Sequence, residues 1–211
     1  MKSSIRLSFC VFCIFVFWSF LVFSRQTTLI WLDMGVYHLI QSIVSFPILA
    51  FFKMATHLGA AIFVIPFILA SACWVWFKKK NKLGFYLFVL IALALLLNVY
   101  LKLLFLKDRP TFLIEVTDTR SYSYPSGHAL AGILLAYYLG WFFREMYPSY
   151  IKIRLIVTGV IGILIPFSRV VLGVHWISDV IGGVLLAFFY LTLYEWWFKQ
   201  KKFPSAGESL F

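Results

Sequence analysis

The stretch 83-LGFYLFVLIALALLLNVYLKLLFLKDRP-110 runs from Leu83 to Leu101 without a charged side chain, then sets Lys102, Lys107, Asp108 and Arg109 before Pro110. A helix needs roughly 20 apolar residues to cross the hydrocarbon layer of a bilayer, and this run supplies them. The rest of the chain has the same character. Of its 211 residues 63% are hydrophobic and 13% charged, and the mean hydropathy is +0.93. A soluble domain of that size has too little interior for so much apolar surface, so lipid must cover it. The expected fold class is an all-α, polytopic membrane bundle.

Six segments reach or approach spanning length: residues 7–24, 54–77, 83–106, 126–143, 153–172 and 177–198. The run 39–52 is shorter and carries Pro47, which suits an interfacial or re-entrant piece better than a span. The first segment follows MKSSIR as a signal peptide would. Its apolar core is long, however, and FSRQ offers no small-x-small cleavage site, so it is expected to stay as an anchor. One domain, residues 1–198, is expected, with 199–211 as a short tail.

Placing both termini in the cytoplasm puts twelve of the 19 Lys and Arg residues on the inner face, as the positive-inside rule demands. The acids Asp33, Asp108, Glu115, Asp118 and Asp179 then fall outside, as do Arg25 and Arg120. The net charge of +11 is thereby a topology signal in short loops, and no nucleic-acid partner is expected. Trp18, Trp31, Trp74, Trp76, Trp141, Trp196 and Trp197 fall near span ends, where interfacial anchors sit. Cys10, Cys13 and Cys73 lie inside apolar runs and form neither a disulfide framework nor a metal-ligand cluster.

This topology gathers three polar clusters on the outer side. Lys102 and Arg109 are seven residues apart, two helical turns, and are expected on one helix face that Pro110 ends. In Tyr124-Pro125-Ser126-Gly127-His128, Ser126 reads as an N-cap. Gly127 allows close approach to the backbone. The free amides of the helix that begins there suit an anion, beside His128. In SRVVLGVHWISD, residues 168–179, Arg169 follows Ser168, Gly173 permits a turn, and His175 and Asp179 have i,i+4 spacing. If a helix begins near His175, Asp179 accepts a hydrogen bond from the imidazole and makes its free nitrogen a better nucleophile. Each cluster alone also fits a bland role: a snorkelling lysine beside a topological arginine, a capped helix with an interfacial histidine, or a membrane-edge salt bridge. Their joint occurrence on one face favours a phosphate-cleaving site. No second carboxylate cluster is present to hold a metal pair, so no metal or cofactor is expected and the cations must neutralise the phosphoryl oxygens.

At these residues the sequence resembles the type 2 phosphatidic acid phosphatase (PAP2) family of integral-membrane lipid phosphatases. Its three-part pattern is Lys-x6-Arg-Pro, Pro-Ser-Gly-His and Ser-Arg-x5-His-x3-Asp. All three parts stand here in order at Lys102–Pro110, Pro125–His128 and Ser168–Asp179. The resemblance implies a six-helix bundle of the PAP2 and haloperoxidase-like type. It also implies a mechanism: His175 attacks phosphorus, Asp179 orients it, and His128 protonates the leaving oxygen. Lys102, Arg109, Ser126, Gly127 and Arg169 then hold the phosphoryl charge. Thr56-His57-Leu58-Gly59 resembles a stretch frequent in bacterial members, which leaves His57 between lining the entrance and packing.

The expected substrate is a membrane lipid phosphate met at the outer face of a bacterial inner membrane. Undecaprenyl diphosphate ranks first, followed by phosphatidylglycerol phosphate, phosphatidic acid and lipid A phosphates. Three rivals stand beside hydrolysis: a phosphotransferase using the same phosphohistidine, vanadate haloperoxidase chemistry, and a binding protein with a degenerate pocket. Six spans argue against the second, and the intact His128, His175 and Asp179 against the third.

Overall fold

The computed structural model describes residues 2–24, 27–110 and 121–200, and every regular element among them is helical. Arg25, Glu115, Asp118, Arg120 and the tail from residue 201, all assigned to a membrane face above, lie outside the described residues. The helices are α1 (Lys2–Phe23), α2 (Thr27–Ile43), α3 (Phe46–Thr56), α4 (Ala61–Lys79), α5 (Leu83–Phe105), α6 (Gly127–Met146), α7 (Ile151–Val171) and α8 (Ile177–Gln200). A single 3₁₀ turn, His57–Gly59, separates α3 from α4.

Residues 4–23 of α1, with α4, α5, α7 and most of α8, are long and apolar enough to cross a membrane. Phe17, Ile62, Leu96 and Ile163 stand exposed on α1, α4, α5 and α7, a pattern that belongs in hydrocarbon. The chain is a membrane protein. Two expected boundaries change. The second span begins at Ala61 rather than residue 54, because 46–56 is a helix of its own and the 3₁₀ turn breaks the chain after it. The run 39–52 is split between α2 and α3, which meet at a 119° bend next to Pro47 and pass the spanning test only as a pair.

The helix α6 is not among the five apolar spans, and its position explains why. It packs against α4, α5, α7, α8 and the 3₁₀ turn, so protein rather than lipid solvates it. Leu130, Leu134, Tyr138 and Trp141 on successive turns are fully buried. Trp141 was expected as an interfacial anchor. Instead it fills a slot against Gly84 of α5 and the Tyr138 ring.

Helix ends decide where the polar clusters go. Leu106 adopts a left-handed conformation (φ 49°), and its N–H closes on the Lys102 carbonyl at 3.0 Å, so α5 stops there. Ser126 caps α6, accepting the Ala129 N–H at 3.4 Å. Gly173 at φ 62° turns the chain between α7 and α8. The turn folds back on α7, with the Val174 and His175 N–H groups both donating to the Arg169 carbonyl. The start of α8 then meets the start of α6, where Ser126 N–H donates to the Asp179 carbonyl at 3.0 Å. Gly183 allows this approach, since a Cβ there would sit 2.4 Å from the Ser126 carbonyl oxygen. Replacing Gly183 with alanine therefore forces α8 off α6. It should cost about 1–3 kcal/mol, the usual range for overpacking, measured as a lower midpoint of thermal unfolding in detergent. An unchanged midpoint would show that the two helix starts are not locked together.

Candidate active site

Eight residues singled out from the sequence come from four helix ends, and the fold draws them to one end of the bundle. His175 lies in the turn before α8, not on it, and is 3% exposed. Its Nδ1 is 3.4 Å from Asp179 Oδ2 and 3.2 Å from Ser123 Oγ, while the Ser123 hydroxyl donates to the same Asp179 oxygen. The pairing expected within a helical turn is thus reached another way. Asp179 is the third residue of α8, and its Oδ2 reaches back to accept the Trp176 N–H at 3.0 Å, as acidic residues near helix starts do.

The other ring nitrogen defines the tautomer. Arg109 Nη1 lies 3.2 Å from His175 Nε2 and also donates to the Val174 carbonyl at 3.0 Å. A guanidinium only donates, so Nε2 carries the lone pair and Nδ1 the proton. Burial pushes the His175 imidazole down from 6.5 to about 3, against the opposing hydrogen bond and charge of Asp179. The ring is held neutral, with its lone-pair nitrogen directed at an arginine. That is the state a nucleophilic imidazole needs.

Lys102 and Arg109 do not share a helix face. The helix ends at Phe105, four residues before Arg109 and well short of Pro110. Both are nevertheless brought to the 121–126 loop: Lys102 Nζ donates to the Tyr122 carbonyl, and Arg109 holds Ser121 through Nε–H to the carbonyl at 2.7 Å and Nη2–H to the hydroxyl at 3.0 Å. Arg169 is 2% exposed, and its Nη1 donates to Thr56 Oγ1 at 2.7 Å. Ser168 Oγ meets the same threonine oxygen at 3.1 Å. Neither Lys102 nor Arg169 forms an ion pair with a carboxylate among the described residues, and the Arg169 Nε–H is buried without an acceptor there. Buried cations without counter-charges are costly, and an anionic ligand removes the cost.

Gly127 opens α6 beside Asn98, whose Nδ2 donates to the Pro125 carbonyl at 3.2 Å. The first amides of α6 have no partner within the helix. Ser126 spends its N–H on Asp179 and its oxygen on the cap, which leaves its hydroxyl proton. His128, in the first turn, lies within electrostatic range of Arg169, His175, Lys102 and Arg109. His57 is exposed, and the residue of that stretch that reaches the site is Thr56. Ser123, Thr56, Asn98 and Lys107, the last donating to Asp179 Oδ1 at 2.8 Å, were missed from the sequence. Nearness to the motifs marks Asn98, Lys107 and Ser123 there, and Thr56 stands in the stretch whose histidine was singled out instead.

The PAP2 superfamily profile matches residues 83–203, which carry all three motifs. The chain belongs to this family. It is 35% identical over 140 residues to phosphatidylglycerophosphatase B of Bacillus subtilis, covering 64% of this chain and 68% of that protein. It is 31% identical over 159 residues to an undecaprenyl-diphosphatase of Sulfolobus acidocaldarius, covering 67% and 70%. The crystal structure of a transmembrane PAP2-type phosphatidylglycerolphosphate phosphatase from Bacillus subtilis superposes with a TM-score of 0.84 at 26% identity, over 93% of this chain and 98% of that one. The protein is a PAP2-type phosphatase with the expected all-helical membrane fold.

In this PAP2 member the imidazole of His175 should give the nitrogen NMR signature of a neutral Nδ1–H ring at ~pH 5, where a free histidine is charged. Assignment is by loss of the signal in His175→Gln. Because the folded value is depressed, the unfolded chain binds this proton first, and stability should fall as pH drops from 6.5 towards about 3. Titration centred on 6.5 would contradict the burial and the tautomer together.

Proposed function

We propose that the protein is a lipid phosphatase that cleaves the terminal phosphate of a membrane lipid by way of a phosphohistidine, at the outer face of the membrane. The observation that supports this best is the pairing of a buried, neutral His175, its lone pair on Nε2, with buried Arg169 and Lys102, which have no carboxylate partner among the described residues. The histidine requires an electrophile and the cations require an anion, and a phosphoryl group is both.

In the proposed reaction the phosphate enters among Arg109, Arg169 and Lys102, the Ser126 hydroxyl and the first amides of α6, Gly127 among them. These donors hold the charge on the three equatorial oxygens. The Arg109 fork, which faces Nε2, transfers to the phosphate and frees that nitrogen. Nε2 attacks phosphorus in line while the bond to the leaving oxygen breaks, and His128 donates the proton that makes the leaving group neutral. The imidazole gains positive charge as it bonds to phosphorus, and Asp179, across Nδ1, stabilises it. Water then attacks the phosphohistidine, His128 takes its proton, and inorganic phosphate leaves.

The membrane setting limits the substrate to a lipid whose tail stays in the bilayer. The two named relatives support two such lipids: phosphatidylglycerophosphate, a monoester, and undecaprenyl diphosphate, an anhydride. The cations, the Ser126 hydroxyl and the α6 amides address the terminal phosphoryl group, and His128 the oxygen that leaves it, so the same site suits both lipids. The outer-face orientation rests on the lysine and arginine balance of the loops.

A phosphate-release panel on purified protein in detergent tests this, using phosphatidylglycerophosphate, undecaprenyl diphosphate, phosphatidic acid and a lipid A phosphate. Inorganic phosphate should appear from the first two, none should appear with His175→Ala, and EDTA should leave the rate intact. Release from none of the four lipids, transfer to an acceptor lipid instead of water, or EDTA inhibition reversed by Mg²⁺ would overturn it.

A further inference from the structure

The carboxylate of Asp179 has a second side, and the groups that hold it in turn reach outside the part of the chain that matches the family profile. Its Oδ2 serves Ser123, the Trp176 N–H and His175, whereas its Oδ1 accepts from Lys107 Nζ at 2.8 Å. Lys107 also meets Ser178 Oγ at 2.7 Å and Asp33 Oδ2 at 3.4 Å. Asp33 belongs to α2, which precedes the matched residues 83–203. It is 8% exposed and grips Ser178 twice, accepting the N–H at 2.9 Å and the hydroxyl at 2.6 Å. From α1, Trp18 Nε1 donates to the Ser178 carbonyl at 3.0 Å. The peptide that carries Asp179 is therefore held at its amide, its hydroxyl and its carbonyl by the two N-terminal helices. Proton bookkeeping closes: the Ser178 hydroxyl donates to Asp33 and accepts from Lys107, whose three N–H groups point to three oxygens.

We infer that Asp33 is a positioning residue for phosphoryl transfer, acting through Ser178 and Lys107 on Asp179. The inference rests on the lipid-phosphatase reading and adds a row of alternating charges to it: Asp33, Lys107, Asp179, and then an imidazole that becomes positive in the transition state. With Asp33 ionised, the Lys107 ammonium is shared between two carboxylates and Asp179 keeps most of its field for His175. With Asp33 neutral, Lys107 turns wholly to Asp179 and opposes the charge growing on the ring. Both carboxylates are buried and the ammonium between them is only partly exposed, so this opposition is weakly screened. Asp33 reaches Asp179 through Ser178 and Lys107 rather than through Lys102 or Arg169. Its loss therefore acts on turnover and not on substrate affinity, the mark of an interaction expressed in the transition state.

Asp33→Asn keeps the size of the side chain and an acceptor for the Ser178 N–H while removing the charge. With the wild-type enzyme releasing phosphate from phosphatidylglycerophosphate in detergent, D33N should lower kcat about tenfold, within the range of coupling between contacting charged groups, and leave KM within about twofold. In the cycle with Lys107→Met, where the opposing ammonium is gone, adding D33N should bring no further loss. Should D33N fail to fold, Ser178→Ala removes the hydroxyl that links Asp33 to Lys107 and is expected to lower kcat with KM held. Wild-type kcat in D33N, a rise in KM alone, or full additivity with K107M would overturn the inference and leave the phosphatase reading standing. A wild-type enzyme that releases no phosphate would remove both.

Discussion

The buried carboxylate of Asp179 is the interaction on which the site depends. It is fully enclosed, and an enclosed charge persists only where donors surround it. Those donors are the Ser123 hydroxyl, the Trp176 amide and the Lys107 ammonium, with the His175 ring facing the same carboxylate. They come from the 121–126 loop, the segment after α5 and the turn between α7 and α8. One charge placed inside the bundle thus obliges three separate pieces of chain to converge. The His175 ring is oriented as a consequence.

A complementary constraint operates a few ångströms away. Among the described residues, Arg169 and Lys102 are buried with hydroxyl and carbonyl oxygens as partners rather than carboxylates. Oxygens of that kind orient a cation without cancelling its charge. Cations held in this way suit an anionic group. Asp179 at Nδ1 and Arg109 at Nε2 lie on opposite sides of the His175 ring. This polarity sets the direction in which the imidazole can react. It also gives the N-terminal helices a function beyond membrane anchoring, because Trp18 and Asp33 hold the residue next to Asp179.

Much of the bundle was legible in the sequence, and physical reasons separate what was from what was not. The spans expected at 83–106, 153–172 and 177–198 correspond closely to α5, α7 and α8, because long apolar runs bounded by charge, proline or glycine have one stable answer in lipid. The start of the second span was misplaced because 46–56 is as apolar as α4, and only the 3₁₀ turn divides them. The residues of the three motifs do meet, but not by the local geometry their spacing suggested. Leu106 ends α5 in a left-handed conformation that a leucine rarely adopts, so no periodicity forecast that Arg109 would leave the helix. Asp33, Thr56, Ser123 and Lys107 look like ordinary polar residues in the sequence. Their meaning lies in contacts such as Asp33 with Ser178, 145 positions away, and spacing carries no trace of those.

The most direct measurement is rapid quenching of the purified enzyme during turnover of a lipid labelled in its terminal phosphate, followed by mapping of the bound label. Label should accumulate on the peptide containing His175, survive alkali and be lost in acid, as a phosphoramidate is, and be absent from His175→Ala. Full turnover with no covalently bound phosphate, or label on any other side chain, would contradict the buried imidazole as the nucleophile.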